Sequence, residues 1–346
     1  MKLKKMVFVF VMLLFLTSCS LVMAADEPSV ATEPNQMAEA AMLHGDYWEA
    51  VHQYSEAIKQ APGDVELYKQ RGNAYYHLGQ YSSAMRDYNT AIVLNPSYAD
   101  AYNNRGNVYK SFGEYEKAAA DYTKAINLNP QHLKAYYNRA IVEASQEQYE
   151  AAIADYTSAI VLKPTFSDAY QNRGLVYEYL QRYEEALTDY QKVISLTPQV
   201  SAAYYNQGNV EAKLGTYDKA IKSYDQAIHL NGKDADAYNN RGVAYFELGK
   251  YEKARQSYDK AIAIAPMNMN AYNNRGLVYM KREAYEAALA DFNKAIELAP
   301  QNAQCYLSRA ELYDKLGRKQ DAVGDYRQAI SLDETVRKEV PLKYQN

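Results

Sequence analysis

The sequence is poor in the residues that build covalent or metal-bound scaffolds. Two cysteines, Cys19 and Cys305, occur in 346 residues, too few for a disulfide framework. The five histidines, His44, His52, His77, His132 and His229, show no paired metal-ligand spacing, and neither a phosphate-cradling glycine loop nor a nucleophile elbow is present. No catalytic residue, metal or cofactor is therefore expected. Positive charge is not in excess either: the formal net charge is −4, and three of the cations, Lys2, Lys4 and Lys5, sit in the first five residues. A general nucleic-acid binder would show a basic face for phosphate. The apolar run Met6 to Leu16 has eleven residues, too few to span a bilayer comfortably as a mature helix.

What is abundant is tyrosine, with 36 copies, and most of them keep time. One series, Tyr68, Tyr102, Tyr136, Tyr170, Tyr204, Tyr238, Tyr272 and Tyr306, advances by 34 residues per step. Pro62, Pro96, Pro130, Pro164 and Pro198 keep the same interval, Gly232 takes the next beat, and Pro266 and Pro300 resume it. A register held so strictly means one supersecondary unit copied in tandem. With each proline at position 32, nine units begin near Ala31, Val65, Ala99, Leu133, Ser167, Ser201, Ala235, Met269 and Ala303, the first degenerate in its opening half.

Each unit holds two helical patterns, as in Ala101 to Phe112 and Tyr115 to Leu128, with Gly113 at the break and Pro130 as the stop. Position 8 is small (Gly72, Gly106, Gly174, Gly208, Gly242, Gly276, Ala140, Ala310) and position 20 is alanine in all nine units, from Ala50 to Ala322. Four residues after that alanine stands a ring, Tyr54 through Tyr326 with Phe292 among them. Small groups let the paired helices approach and rings fill the space between neighbours, so hairpins must stack to bury both faces. Cys305 takes a slot that is alanine in other units, Ala101 and Ala135 for example, and is expected to be a small buried residue.

These positions resemble the tetratricopeptide repeat over about 300 residues, with tyrosine for the usual tryptophan at position 4 and arginine for leucine at position 7. The resemblance implies an all-α, right-handed superhelical solenoid of tandem helix-turn-helix hairpins over 31–336, with a C-terminal tail at 337–346. The arginines Arg71, Arg105, Arg139, Arg173, Arg241, Arg275 and Arg309 are expected to pair with the aspartates found in most second helices, such as Asp87 and Asp155. Gln207 breaks the row in the unit that also carries Ser223. No long amphipathic helix follows Leu332, so the last hairpin is expected to be modestly polar outside or covered by another molecule, a second copy included.

The family likeness also implies a concave groove lined by first helices. Asn104, Asn138, Asn172, Asn206, Asn240 and Asn274 hold position 6 in six successive units. They resemble the asparagine ladder in the repeat domain of O-linked N-acetylglucosamine transferase, and an amide suits the backbone of an extended peptide because it both donates and accepts. Lys69, Asn73, Asn104 and Lys134 stand at the spacing of the carboxylate clamp of co-chaperone repeat domains, although Asn138 takes the fifth place where a cation is expected.

At the amino terminus, Leu16-Thr17-Ser18-Cys19 resembles the lipobox of bacterial lipoproteins. It implies a signal peptide at 1–18, lipidation of Cys19, a flexible spacer through residue 36, and, as Ser20 is not aspartate, outer-membrane placement. An ordinary secretory cut after Ala24 or Ala25, giving a periplasmic or secreted protein, is the alternative. The expected function is a non-catalytic, membrane-anchored adaptor that binds segments of other envelope proteins. A self-associating structural solenoid with an empty groove is the other reading.

Overall fold

The computed structural model describes Thr32–Gln345; the signal peptide, Cys19 and most of the spacer lie outside the described residues. The described chain is helical throughout and divides into two compact blocks, one ending at Val108 and one beginning at Tyr109. The first holds α1 (Thr32–His44), α2 (Tyr47–Gln60), α3 (Val65–His77), α4 (Tyr81–Leu94) and most of α5 (Ala99–Ser111). In the second, the helices alternate as first and second members of hairpins. They are α6 (Tyr115–Leu128), α7 (Leu133–Ser145), α8 (Tyr149–Leu162), α9 (Ser167–Tyr179), α10 (Tyr183–Leu196), α11 (Ser201–Lys213) and α12 (Tyr217–Leu230). There follow α13 (Ala235–Glu247), α14 (Tyr251–Ile264), α15 (Met269–Lys281), α16 (Tyr285–Leu298), α17 (Ala303–Lys315) and α18 (Lys319–Leu332). Within this block each hairpin packs on the next in chain order.

The stop signals act as their chemistry requires. The residue before each proline that closes a unit is pushed out of the helical region, as Asn129 shows with φ −137° and ψ 94° ahead of Pro130. Inside hairpins the chain reverses through a left-handed residue, which is glycine at Gly113 (φ 75°). Glu147, Gln181 and Glu283 adopt the same conformation at φ 61°, 58° and 62° despite their side chains, a strain of about 1–2 kcal/mol each. The reversal survives because the neighbouring bonds hold it, as when the Gln148 amide donates to the Glu143 carbonyl at 2.8 Å.

The small positions turn out to serve the rings directly. Every position-20 alanine is fully buried, and the ring four residues on is buried in all nine units. Gly72, Gly174, Gly208, Gly242 and Gly276 each lie against the ring of their own hairpin: a methyl group built on Gly242 would stand 2.5 Å from Cε1 of Tyr258, and on Gly276 2.6 Å from that of Phe292. The ring therefore packs within the hairpin, over its own glycine, rather than only between neighbours. Cys305 is buried as expected, its Sγ 3.9 Å from Sδ of Met269, and burial pushes its thiol up to about 11.

The last hairpin is covered by the chain's own end. Two 3-10 helices, Glu334–Glu339 and Leu342–Tyr344, fold back so that Val336, Val340 and Tyr344 are buried against Leu307, Ala310, Tyr326 and Ala329. The Tyr344 ring stacks on Tyr326 at 5.1 Å, its hydroxyl donates to Asp314, and Lys343 reaches the same carboxylate at 3.0 Å. The polar or partner-covered face expected here is thus replaced by an apolar strap, because three large side chains spaced four apart supply what a capping helix would.

Two glycines with opposite surroundings test the packing. Gly242→Ala is expected to lower the urea midpoint, the overpacking cost of about 1–3 kcal/mol exceeding the gain in helix propensity. Gly324→Ala, in α18 with nothing within 4 Å of the added methyl, is expected to raise stability by about 0.5–1 kcal/mol.

Candidate functional site

The position-7 arginines bind on both sides. Arg139 donates from Nε and Nη2 to Asp155 at 2.6 and 2.8 Å and from Nη1 to Thr123 at 2.8 Å, so one fork joins the second helix before it to the second helix after it. Arg71, Arg173, Arg275 and Arg309 repeat the arrangement with Asp87, Asp189, Asp291 and Asp325 and with Ser55, Thr157, Asp259 and Asn293. Each also lies over the position-4 tyrosine of its helix, with Arg173 5.7 Å from the Tyr170 ring centre. The expected structural pairing is therefore present. Desolvation raises the Asp189 carboxyl above its usual range despite Arg173.

Position 11 explains the break in that row. It is tyrosine in most units, but Glu211 stands there beside Gln207. The buried Glu211 accepts from Gln207 Nε2 at 2.9 Å and from the Ser223 hydroxyl at 2.7 Å. Three substitutions thus replace arginine, aspartate and tyrosine by one uncharged-donor network, a compensation that reading positions 7 and 23 alone does not reveal. Glu143 occupies the same position without such donors. Its Oε2 is buried with no hydrogen bond, Arg139 Nε stands 3.7 Å from its Oε1, and burial, then Asp155, raises its pKa to about 7 against the pull of Arg139.

The asparagines of position 6 donate mainly to their own scaffold. Asn104 Nδ2 donates to Asn73 Oδ1 at 2.8 Å in the first block. In the second, Asn172 donates to the Tyr137 hydroxyl at 3.0 Å, Asn240 to the Tyr205 hydroxyl at 3.2 Å, and Asn274 to Asn239 Oδ1 at 3.1 Å. Asn138 is engaged as well. Each of those second-block bonds spans 35 residues, from position 6 back to position 5 of the preceding first helix. At Asn206 the step is missing. The acceptor due there is Gln171, whose Oε1 is buried without a partner, and the Asn206 amide makes no hydrogen bond among the described residues. A second orphan, Asn273 Oδ1, falls where the series ends at Ser308.

Around Asn206 lies a hollow of about 460 Å³ lined by residues that include Leu175, Glu178, Tyr179, Asn209 and Lys213. A neighbouring hollow of about 370 Å³ shares Glu178, Asn209 and Lys213 and adds Tyr224, Asn240 and Val243. Leu175 is 44% and Tyr179 66% exposed. Glu178 accepts the Tyr190 hydroxyl at 3.1 Å and faces Lys213 at 3.5 Å. Of these residues the sequence singled out only Asn206 and Asn240; the signal it held was Tyr179, an aromatic at a position that is His77, Ser111, Lys213 or Glu247 elsewhere.

The clamp residues are divided between the blocks. In the first, Lys69 pairs with Glu66 at 2.5 Å, and Asn73 accepts from Tyr88 at 2.9 Å and from Asn104 while donating to Gln70 at 3.1 Å. These three present mostly satisfied groups. Lys134, in the second block, is exposed at the start of α7. Among the described residues no group of three or more His, Cys, Asp or Glu side chains is placed to hold a metal ion, and no helix is long and apolar enough to cross a membrane.

Family models described as TPR repeat and tetratricopeptide repeat match residues 72–113, 142–181, 172–230, 205–268, 99–132, 270–302 and 292–324. No curated protein matches the sequence. Among solved structures, YrrB, described as a TPR protein with an unusual peptide-binding site, is 30% identical and covers 53% of this chain and 95% of its own, with a TM-score of 0.49. A tetratricopeptide repeat protein from Parabacteroides merdae is 22% identical over 77% of this chain and 98% of its own, at TM-score 0.52. The C-terminal part of a TPR repeat-containing protein from Cytophaga hutchinsonii is 19% identical over 69% and 98%, at 0.58. The last two likenesses are of fold.

Glu143 makes the pH dependence of stability testable. Its folded pKa lies above its ordinary value near 4.5, so its contribution is fully present below that value and is lost as pH rises toward about 7. Glu143→Gln is expected to raise the melting temperature at pH 8 and to change it much less at pH 4, by circular dichroism.

Proposed function

The chain belongs to the tetratricopeptide-repeat family, whose members bind other proteins, and we propose that it is a non-catalytic adaptor holding extended peptide segments of its partners across the first helices of the second block. One observation carries this reading. At Asn206 the internal amide row leaves a side-chain amide unused in the lining of a hollow, because the acceptor due to it, Gln171 Oε1, is buried without a partner elsewhere. Buried polar groups without partners cost free energy, and a peptide bond offers the complementary N–H and C=O in one unit. Asn104, Asn172, Asn240 and Asn274 serve chiefly as links between hairpins, so the row supports a localised anchor rather than a continuous track.

The test is direct. Peptides selected on the full chain from a random twelve-residue library are expected to bind Asn206→Ala about 3- to 10-fold more weakly, the worth of one net hydrogen bond, with the urea midpoint unchanged. Equal binding would overturn the reading.

The adaptor is proposed to work in the bacterial envelope, exported and held to a membrane through lipid on Cys19, the outer membrane being favoured by Ser20. Support comes from the Leu16-Thr17-Ser18-Cys19 motif alone. Mass spectrometry of the mature protein is expected to show an acylated Cys19 at the amino terminus; a free terminus after Ala24 or Ala25 would replace anchoring by secretion.

A further inference from the structure

The unused amide locates a bound segment, and the charges beside it discriminate among segments. Glu178 and Lys213 are the carboxylate and the lysine of both hollows, and they are not equivalent. The Glu178 side chain is 17% exposed and that of Lys213 50%. Their 3.5 Å separation is longer than a strong charge-assisted hydrogen bond. Glu178 Oε2 is held by Tyr190, which leaves Oε1 with this one long contact. A carboxylate so far removed from water gains from a closer cation, whereas a half-exposed ammonium that swings away is solvated by water and loses little. An acidic ligand group would do the reverse, drawing Lys213 off and leaving Glu178 less compensated.

The same lining exposes Leu175 and Tyr179, the second at a place that is polar or charged in the other units from the second to the ninth. Large apolar groups that face water beside an unused amide fit an apolar side chain of the ligand. In an extended segment, residues two apart point to the same side about 7 Å from one another.

We propose that the segment bound at Asn206 carries a large apolar side chain, seated on Leu175 and Tyr179, and two residues away a lysine or arginine that pairs with Glu178. This inference rests on the peptide-binding reading above and adds the class of partner: an apolar and basic segment. The formal net charge of −4 favours the approach of such a segment.

The experiment uses the full chain and the same random twelve-residue library at physiological salt. Enriched peptides are expected to place Leu, Ile, Met, Phe, Tyr or Trp two residues from Lys or Arg. In fluorescence anisotropy, changing that basic residue to Gln is expected to weaken binding about fivefold, the scale of a partly exposed ion pair. Glu178→Gln should abolish this difference, and Lys213→Gln should tighten the basic peptide, since a competing cation has gone. Enrichment of acidic peptides, or no effect of the Lys-to-Gln exchange, overturns the inference; if Asn206→Ala still weakens those peptides, the peptide-binding reading stands. Failure to enrich any peptide overturns both.

Discussion

The structure depends on an arginine that reaches sixteen residues in each direction. A guanidinium fork fits a carboxylate with two parallel bonds, and a third N–H remains for a side chain on the other side. Arg173 uses all three, on Asp189 at 2.8 and 2.7 Å and on Thr157 at 2.7 Å. With only 15% of the arginine side chain and 2% of the aspartate side chain exposed, this pair is worth little as net stability against a well-packed apolar substitute, but removing one partner strands a buried charge at a cost of about 3–5 kcal/mol. Its effect is on register. A hairpin that slides by one helical turn loses three bonds at once, so the fork sets the relation among three successive helices that alanine and ring packing alone would leave looser.

That fixed relation gives the amide row its geometry. Once neighbouring first helices are held in phase, position 6 lies within hydrogen-bond reach of position 5 in the preceding unit, and the chemistry of position 5 decides the outcome. Tyrosine at Tyr137 and Tyr205 and asparagine at Asn239 accept the bond; glutamine at Gln171 does not. The candidate site is therefore an exception in a repeating scaffold, made by one residue that fails to complete a bond the lattice of hairpins expects.

Much of this was legible in the sequence because period and volume are one-dimensional information. The 34-residue interval, the position-20 alanines and the prolines marked every hairpin, and the helices begin and end within about two residues of those marks. The arginine–aspartate pairing was visible as two rows in phase. What could not be read was the saturation of polar groups. An asparagine has the same letter whether its amide is free or bonded, so the six looked alike although Asn206 differs from Asn172, Asn240 and Asn274. Nor did composition reveal that Val336, Val340 and Tyr344 would fold back, since Pro341 interrupts the stretch and leaves no helical length to betray it.

The three left-handed turns that lack glycine carry a mechanical consequence. In a linear array each joint answers only to its neighbours, and a defect in one is not averaged over the rest. Glu147 and Gln181 place two strained reversals in consecutive hairpins, while the next two reversals, at Gly215 and Gly249, are relaxed. Gln181 also lines the hollow beside Asn206. Under tension or heat the array of hairpins is expected to part first at such strained reversals, so the stretch proposed to hold a peptide also carries a fuse of the array.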